Sequence, residues 1–180
     1  RYTDGHGSAE SVSSSPSPLV GNVNDLPSGA VVITGTAAKG QTLTATNTLV
    51  DADGIPGSGS GAITYTWHSG NEVLGTGGSL LLTQAHVGRA ITAVASYMDA
   101  YGQAESVASS ATALVANVND AVASTVSIEG ITTQGQTLTA NTSALADLDG
   151  LGEFSYQWMA DGVAISGATA STFTLTQAQV

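Results

Sequence analysis

GQTLTA, residues 40–45, sets the reading of the fold. Small apolar residues alternate with threonine along it, so Leu43 falls on one face and Thr42 and Thr44 on the other. Successive side chains of a strand point to opposite faces, and this period of two is what a half-buried strand requires. Threonine also suits a pleated surface better than a helix. The same six residues return at 135–140, 95 residues later.

Other landmarks repeat in the same order. YTDGHGSAESV at 2–12 matches YMDAYGQAESV at 97–107, and NVND at 22–25 returns at 117–120, both offset by 95. Asp51-Ala52-Asp53-Gly54 returns as Asp147-Leu148-Asp149-Gly150, offset by 96. Trp67 pairs with Trp158 at an offset of 91, because the first copy carries the extra loop IPGSGSGA at 55–62. LTQAHV at 82–87 matches LTQAQV at 175–180. Self-similarity at a fixed spacing is the mark of a tandem array. Residues 1–21 are therefore expected to be the end of one repeat, 22–116 a complete repeat, and 117–180 the N-terminal part of the next.

Within 22–116, runs of alternating residues bounded by turn signals predict strands at 30–35, 41–46, 62–68, 72–74, 79–83, 90–97 and 104–114. Seven short strands at this spacing suggest a β-sandwich. In a sandwich of that order three acidic stretches meet at one pole. They are the linker Asn22-Val23-Asn24-Asp25, the loop Asp51-Ala52-Asp53-Gly54, and the loop carrying Asp99, with Glu105 starting the last strand beside it.

The chain has three basic residues against fourteen acidic ones, a formal charge of −11, and no cysteine. Nucleic acid and anionic membrane surfaces need Lys and Arg, so neither is an expected partner. Disulfides and thiolate metal sites are excluded. The acidity favours cations. Calcium takes six to eight oxygens from carboxylates, amides, backbone carbonyls and water. Asp51, Asp53, Asp99, Glu105, Asp25, Asn22 and Asn24 supply that chemistry in the first copy. Asn117, Asn119, Asp120, Asp147 and Asp149 supply it in the second, and Asp4 and Glu10 hold the matching positions near the start of the chain. Gathering these carboxylates without a cation would cost repulsion. Magnesium, which keeps its own waters, fits less well. His6, His68 and His86 share no metal-ligand spacing. No nucleophile elbow, phosphate loop or dinucleotide fingerprint is present, so no enzymatic activity is expected.

The pattern NVND, GQTLTA, DADG, Y-x-W, LTQA-x-V-G and Y-x-D-x-x-G-x-AESV resembles the immunoglobulin-like, cadherin-like tandem repeats of giant bacterial surface proteins, RTX adhesins among them. The resemblance runs the length of the chain. It implies an all-β chain of tandem immunoglobulin-like Greek-key β-sandwich repeats of about 95 residues. It also implies a secreted protein at the bacterial cell surface, whose repeats are spacers stiffened by Ca2+ at the linkers and packed on neighbouring repeats of the same chain. Trp67 takes the place of the buried tryptophan of such sandwiches. Three departures stand out: Ala100 where the loop pattern has glycine, the insertion at 55–62, and the second linker, NVNDAV, which lacks the proline of NVNDLP.

Two other functions remain open from sequence. The insertion and neighbouring loops could bind a glycan or a host-surface protein. Alternatively, chains could self-associate into filaments by strand exchange, with Asp4 and Glu10 completing the site of Asp147 and Asp149 in trans.

Overall fold

A computed structural model describes residues 1–180. Its regular structure is almost entirely antiparallel β, with three short 3-10 turns and no longer helix. No helix is long and apolar enough to cross a membrane.

The chain opens with a small hairpin, β1 (Tyr2–Thr3) and β2 (Ala9–Glu10). Residues 11–27 carry no regular structure. The next seven strands are β3 (Val31–Thr34), β4 (Thr42–Asn47), β5 (Thr64–Ser69), β6 (Glu72–Thr76), β7 (Ser79–Leu81), β8 (Thr92–Met98) and β9 (Ala104–Ala108). They form two sheets, ordered β3-β4-β7 and β6-β5-β8-β9. The alternation in GQTLTA does what it predicts: Leu43 and Ala45 are buried while Thr42 and Thr44 face out. Between the sheets lies one cluster, in which Leu43, Trp67, Leu82, Ile91 and Val115 are fully buried. The layers are β-sandwich-like, each sheet burying its apolar face on the other. The indole Nε1 of Trp67 donates to the Gly77 carbonyl at 2.8 Å, so its one polar atom is satisfied inside the core.

All seven expected strands occur, but the last is shorter than 104–114. Its ladder changes partners after Ala108. The hydroxyls of Ser109 and Thr112 accept from the backbone N–H groups of Ala93 and Ile91 at 3.0 and 3.1 Å. Side-chain oxygens thus stand in for ladder carbonyls, which ends regular pairing while leaving the β8 donors satisfied.

In 117–180, β10 (Ser127–Glu129), β11 (Thr137–Asn141) and β14 (Thr172–Thr174) form a three-stranded sheet ordered β10-β11-β14, and β12 (Met159–Ala160) pairs with β13 (Val163–Ala164). The registers match the earlier copy: Leu43 lies opposite Leu80, and Leu138 opposite Phe173. Trp158 donates to the Ala170 carbonyl at 2.9 Å and stacks on Phe173, with ring centroids 5.6 Å apart. Val180 matches Val87, so the positions corresponding to β8 and β9 lie outside residues 117–180.

Candidate metal centre

The acidic pole of 22–116 is built from three backbone turns. In Asp51-Ala52-Asp53-Gly54 the Asp51 side chain accepts from the Asp53 N–H at 2.8 Å, and the Gly54 N–H returns to the Asp51 carbonyl at 3.1 Å. Gly54 closes the turn at φ +88°, a conformation that side chains disfavour. Its carbonyl accepts from the Ala100 N–H at 3.2 Å, which ties this turn to the loop between β8 and β9. In that loop Asp99 Oδ1 accepts from the Tyr101 and Gln103 N–H groups at 2.9 and 2.7 Å, a self-contained aspartate turn. The third element is the linker. The Asp25 N–H donates to Asp53 Oδ2 at 2.7 Å, and the Asn24 side-chain amide donates to Glu105 Oε1 at 2.8 Å.

Asp51, Asp53 and Asp99 are only 9%, 5% and 4% exposed. No basic side chain reaches them, since the two ion pairs of the chain are Lys39–Asp120 and Arg89–Glu72. The Tyr97 hydroxyl, one turn of the strand pleat from Asp99, donates to Asp51 Oδ2. Burial pushes the Tyr97 phenol well above its ordinary value, helped by that bond and by the charges of Asp51, Glu105 and Asp99. A phenol surrounded by carboxylates resists losing its proton.

Of the four oxygens on Asp51 and Asp99, three accept hydrogen bonds from the chain. The fourth, Asp99 Oδ2, is buried with no partner. Asp99 is also one of the residues lining a cleft of about 290 Å³, with Asn22, Asn24, Tyr101 and Gln103. A buried carboxylate oxygen facing nothing is costly, and a hard cation relieves it. The donor set is all oxygen-bearing, which suits calcium better than a transition metal. No three acidic or histidine side chains form a ready-made metal cluster. Amide and main-chain oxygens would therefore have to complete any coordination sphere, as they commonly do for calcium.

The second set is arranged alike but is more open. Asp147 Oδ1 accepts from the Asp149 N–H at 2.8 Å, and Asp149 Oδ2 from the Asp120 N–H at 2.6 Å. The Asp149 carboxyl is held below its ordinary value, first by the Asp120 N–H, then by the Asn117 side chain, with smaller help from Lys39 and Gln84. Asn119 turns its amide to the Asp120 carbonyl at 2.8 Å. Asp4 repeats the Asp99 turn, accepting from the His6 and Ser8 N–H groups at 2.9 and 2.8 Å. Glu10 accepts from the Tyr2 hydroxyl. No hydrogen bond joins Asp4 or Glu10 to Asp147 or Asp149.

Sequence reasoning passed over Tyr97, Gln84 and Lys39. Tyr97 carried a signal, since tyrosine opens the loop motif in both copies. Lys39 carried another, as the single lysine of an acidic chain. Comparison of the chain with protein-family models, with curated proteins and with solved structures gives no match.

Proposed function

We propose that this chain is a structural extender, a stretch of immunoglobulin-like Greek-key repeats of about 95 residues from a secreted protein of the bacterial cell surface. In this reading residues 22–116 are one repeat, flanked by the end of one and the start of another. Calcium at the linker turns a string of units into a rod, because a coordinated linker no longer swings freely. The function is reach and stiffness, without catalysis.

The observation that carries the proposal is Asp99 Oδ2, buried without a partner on a residue that lines a cleft together with the linker residues Asn22 and Asn24. Asp99, Asp51, Asp53, Glu105 and the linker amides would hold the ion, which would supply the positive charge this pole lacks. Because the linker contributes ligands, binding would order 22–25 against the sandwich. The first linker also carries Pro27, whose ring restricts the backbone just beyond Asp25.

Thermal melts in millimolar calcium, in excess EDTA and in magnesium test this. Calcium at a hundredfold above Kd stabilises by about 2.7 kcal/mol, a rise in Tm on the order of 10 °C for a unit this size. Magnesium should do much less. Asp99→Asn should abolish most of the calcium gain. Its Tm in EDTA should equal or exceed the wild type, because Asn keeps the acceptor for Tyr101 and Gln103 and removes the unpaired charged oxygen. Identical wild-type melts in calcium and EDTA would overturn the metal reading.

A further inference from the structure

The far end of β4 from Asp51 holds a different arrangement. There the turn between β3 and β4 carries Lys39, and the chain leaving 22–116 is stitched to it. The Lys39 N–H donates to the Ala116 carbonyl at 2.9 Å and the Ala116 N–H to the Ala37 carbonyl at 2.8 Å, with a parallel bridge between Ala38 and Ala116. Asn117, the first residue of the second NVND, follows at once. This stitching brings the Lys39 side chain over the linker, where its ammonium pairs with the Asp120 carboxylate and lies 3.5 Å from the Val118 carbonyl.

We propose that Lys39 is a built-in cation for the linker 117–120: its ammonium closes on Asp120 and Val118 and holds 117–180 against the end of 22–116 without a metal. This goes beyond the calcium reading and does not depend on it. Four observations support it.

The pair is partly withdrawn from water, with side-chain exposures of 16% for Lys39 and 25% for Asp120. Fully exposed ion pairs contribute little, and screening weakens as water is excluded. A second observation is the backbone stitching itself, in which Ala37, Ala38 and Lys39 hold Ala116 one residue before the linker begins. Third, the two linkers share one bond and differ in the next. Asp25 and Asp120 each donate a backbone N–H to the second aspartate of the following D-x-D-G turn, at 2.7 and 2.6 Å. Only Asp120 also meets an ammonium, whereas around Asp25 no basic side chain forms an ion pair. Fourth, the linker that has the lysine is the one that lacks proline: Ala121-Val122 follows Asp120 where Leu26-Pro27 follows Asp25. One linker is restrained through its backbone and the other through a side chain reaching across. In the next copy Gln134 stands where Lys39 does, so the device belongs to this junction and not to the sequence pattern as a whole.

Because Lys39 is the only lysine, its amine can be followed alone. The full chain in EDTA is treated with a limiting amount of an acetylating N-hydroxysuccinimide ester, and Lys39 acetylation is timed by peptide mass spectrometry. An unstructured peptide spanning 36–42 gives the unprotected rate. Lys39 in the chain should react several-fold more slowly than in the peptide. Asp120→Asn should recover most of that rate with an unchanged far-UV circular dichroism spectrum, and Asp25→Asn should leave protection intact. Reaction at the peptide rate in the wild type overturns the proposal without reference to any variant, and so does equal protection in wild type and Asp120→Asn. Backbone 15N relaxation supplies the mechanical reading. In EDTA the two segments of the wild type should share one correlation time, and in Lys39→Met they should separate; a shared value in both would also overturn it. A protected Lys39 in a chain whose melt ignores calcium would defeat the calcium reading and leave the clamp standing.

Discussion

Asp51 and Asp147 begin the same turn and sit in different surroundings. Each accepts from the N–H two residues on at 2.8 Å, and the glycine three residues on closes each turn. Asp51 and Asp53 are buried, whereas Asp147 is half-buried and Asp149 is exposed. The cause lies outside the turn. In 22–116 the strands β8 and β9 bring Tyr97, Asp99 and Ala100 over it, whereas the positions that would match those strands lie outside residues 117–180. The D-x-D-G turn is thus a local product of its own sequence, while the dry acidic pole is a tertiary product of the loop that covers it. A carboxylate pair in water is an ordinary turn; the same pair under a lid of protein needs a partner for its charge.

The two tryptophans put the strongest test on this contrast. Trp67 is fully buried in the cluster between the two sheets of 22–116; Trp158 is buried too, stacked on Phe173, but lies in the separate segment 117–180, so its loss should spare the core of 22–116. Trp67→Ala should cost about 3–5 kcal/mol in the main urea transition followed by far-UV circular dichroism. Trp158→Ala should leave that transition within about 0.5 kcal/mol of the wild type. An equal loss from both would mean that the two segments melt as one cooperative core, and the contrast between them would fail.

The next effect isolates the lid. Tyr97→Phe keeps the packing of β8 but takes the donor from Asp51 Oδ2, leaving a buried carboxylate oxygen unpaired. The loss should be about 1–3 kcal/mol at neutral pH. Tyr2→Phe, at the equivalent position of an exposed hairpin, should stay within about 0.5 kcal/mol. The alkaline limb separates them further. With the folded Tyr97 phenol raised above the unfolded value, the fold binds one proton more than the unfolded chain once pH passes about 10. Stability should then fall as pH rises through that range, and fall less steeply in Tyr97→Phe. Parallel alkaline limbs would show that Tyr97 ionises freely and does not cap Asp51.

What could be read from residues alone follows the same division. Alternation around Leu43 and Trp67 gave the strands and the inward face, because a period of two is a property of a few consecutive residues. The turns at Asp51, Asp99 and Asp147 were legible for the same reason, as aspartate and glycine punctuate locally. The end of β9 was not legible, since it depends on Ser109 and Thr112 meeting β8 across the sheet. Lys39 and Asp120 lie 81 residues apart, and no periodic pattern in sequence signals that contact. The unpaired Asp99 oxygen was beyond reach too, because an absent partner is visible only when all neighbours are placed.

A weaker test lies at the exposed turn of Asp147 and Asp149. Asp149 holds its proton less tightly than an ordinary aspartate because the Asp120 N–H, the Asn117 side chain and the Lys39 charge all favour its ionised form. A depressed folded value contributes stability above the unfolded pKa of about 3.9. That contribution is lost as pH falls from there through the folded value, so it is absent only in acid. A carboxyl 13C titration should place Asp149 below the ordinary value. Lys39→Met should move it upward by a small amount, since the backbone donor stays and only the distant charge goes. Asp120→Pro would be the stricter variant: it deletes the leading N–H donor and should raise the Asp149 value more than Lys39→Met does. If Lys39→Met proves to be the larger of the two, then charge across the junction, rather than the linker's own backbone, organises the exposed pole, and the likeness between the Asp25–Asp53 and Asp120–Asp149 bonds is one of shape alone.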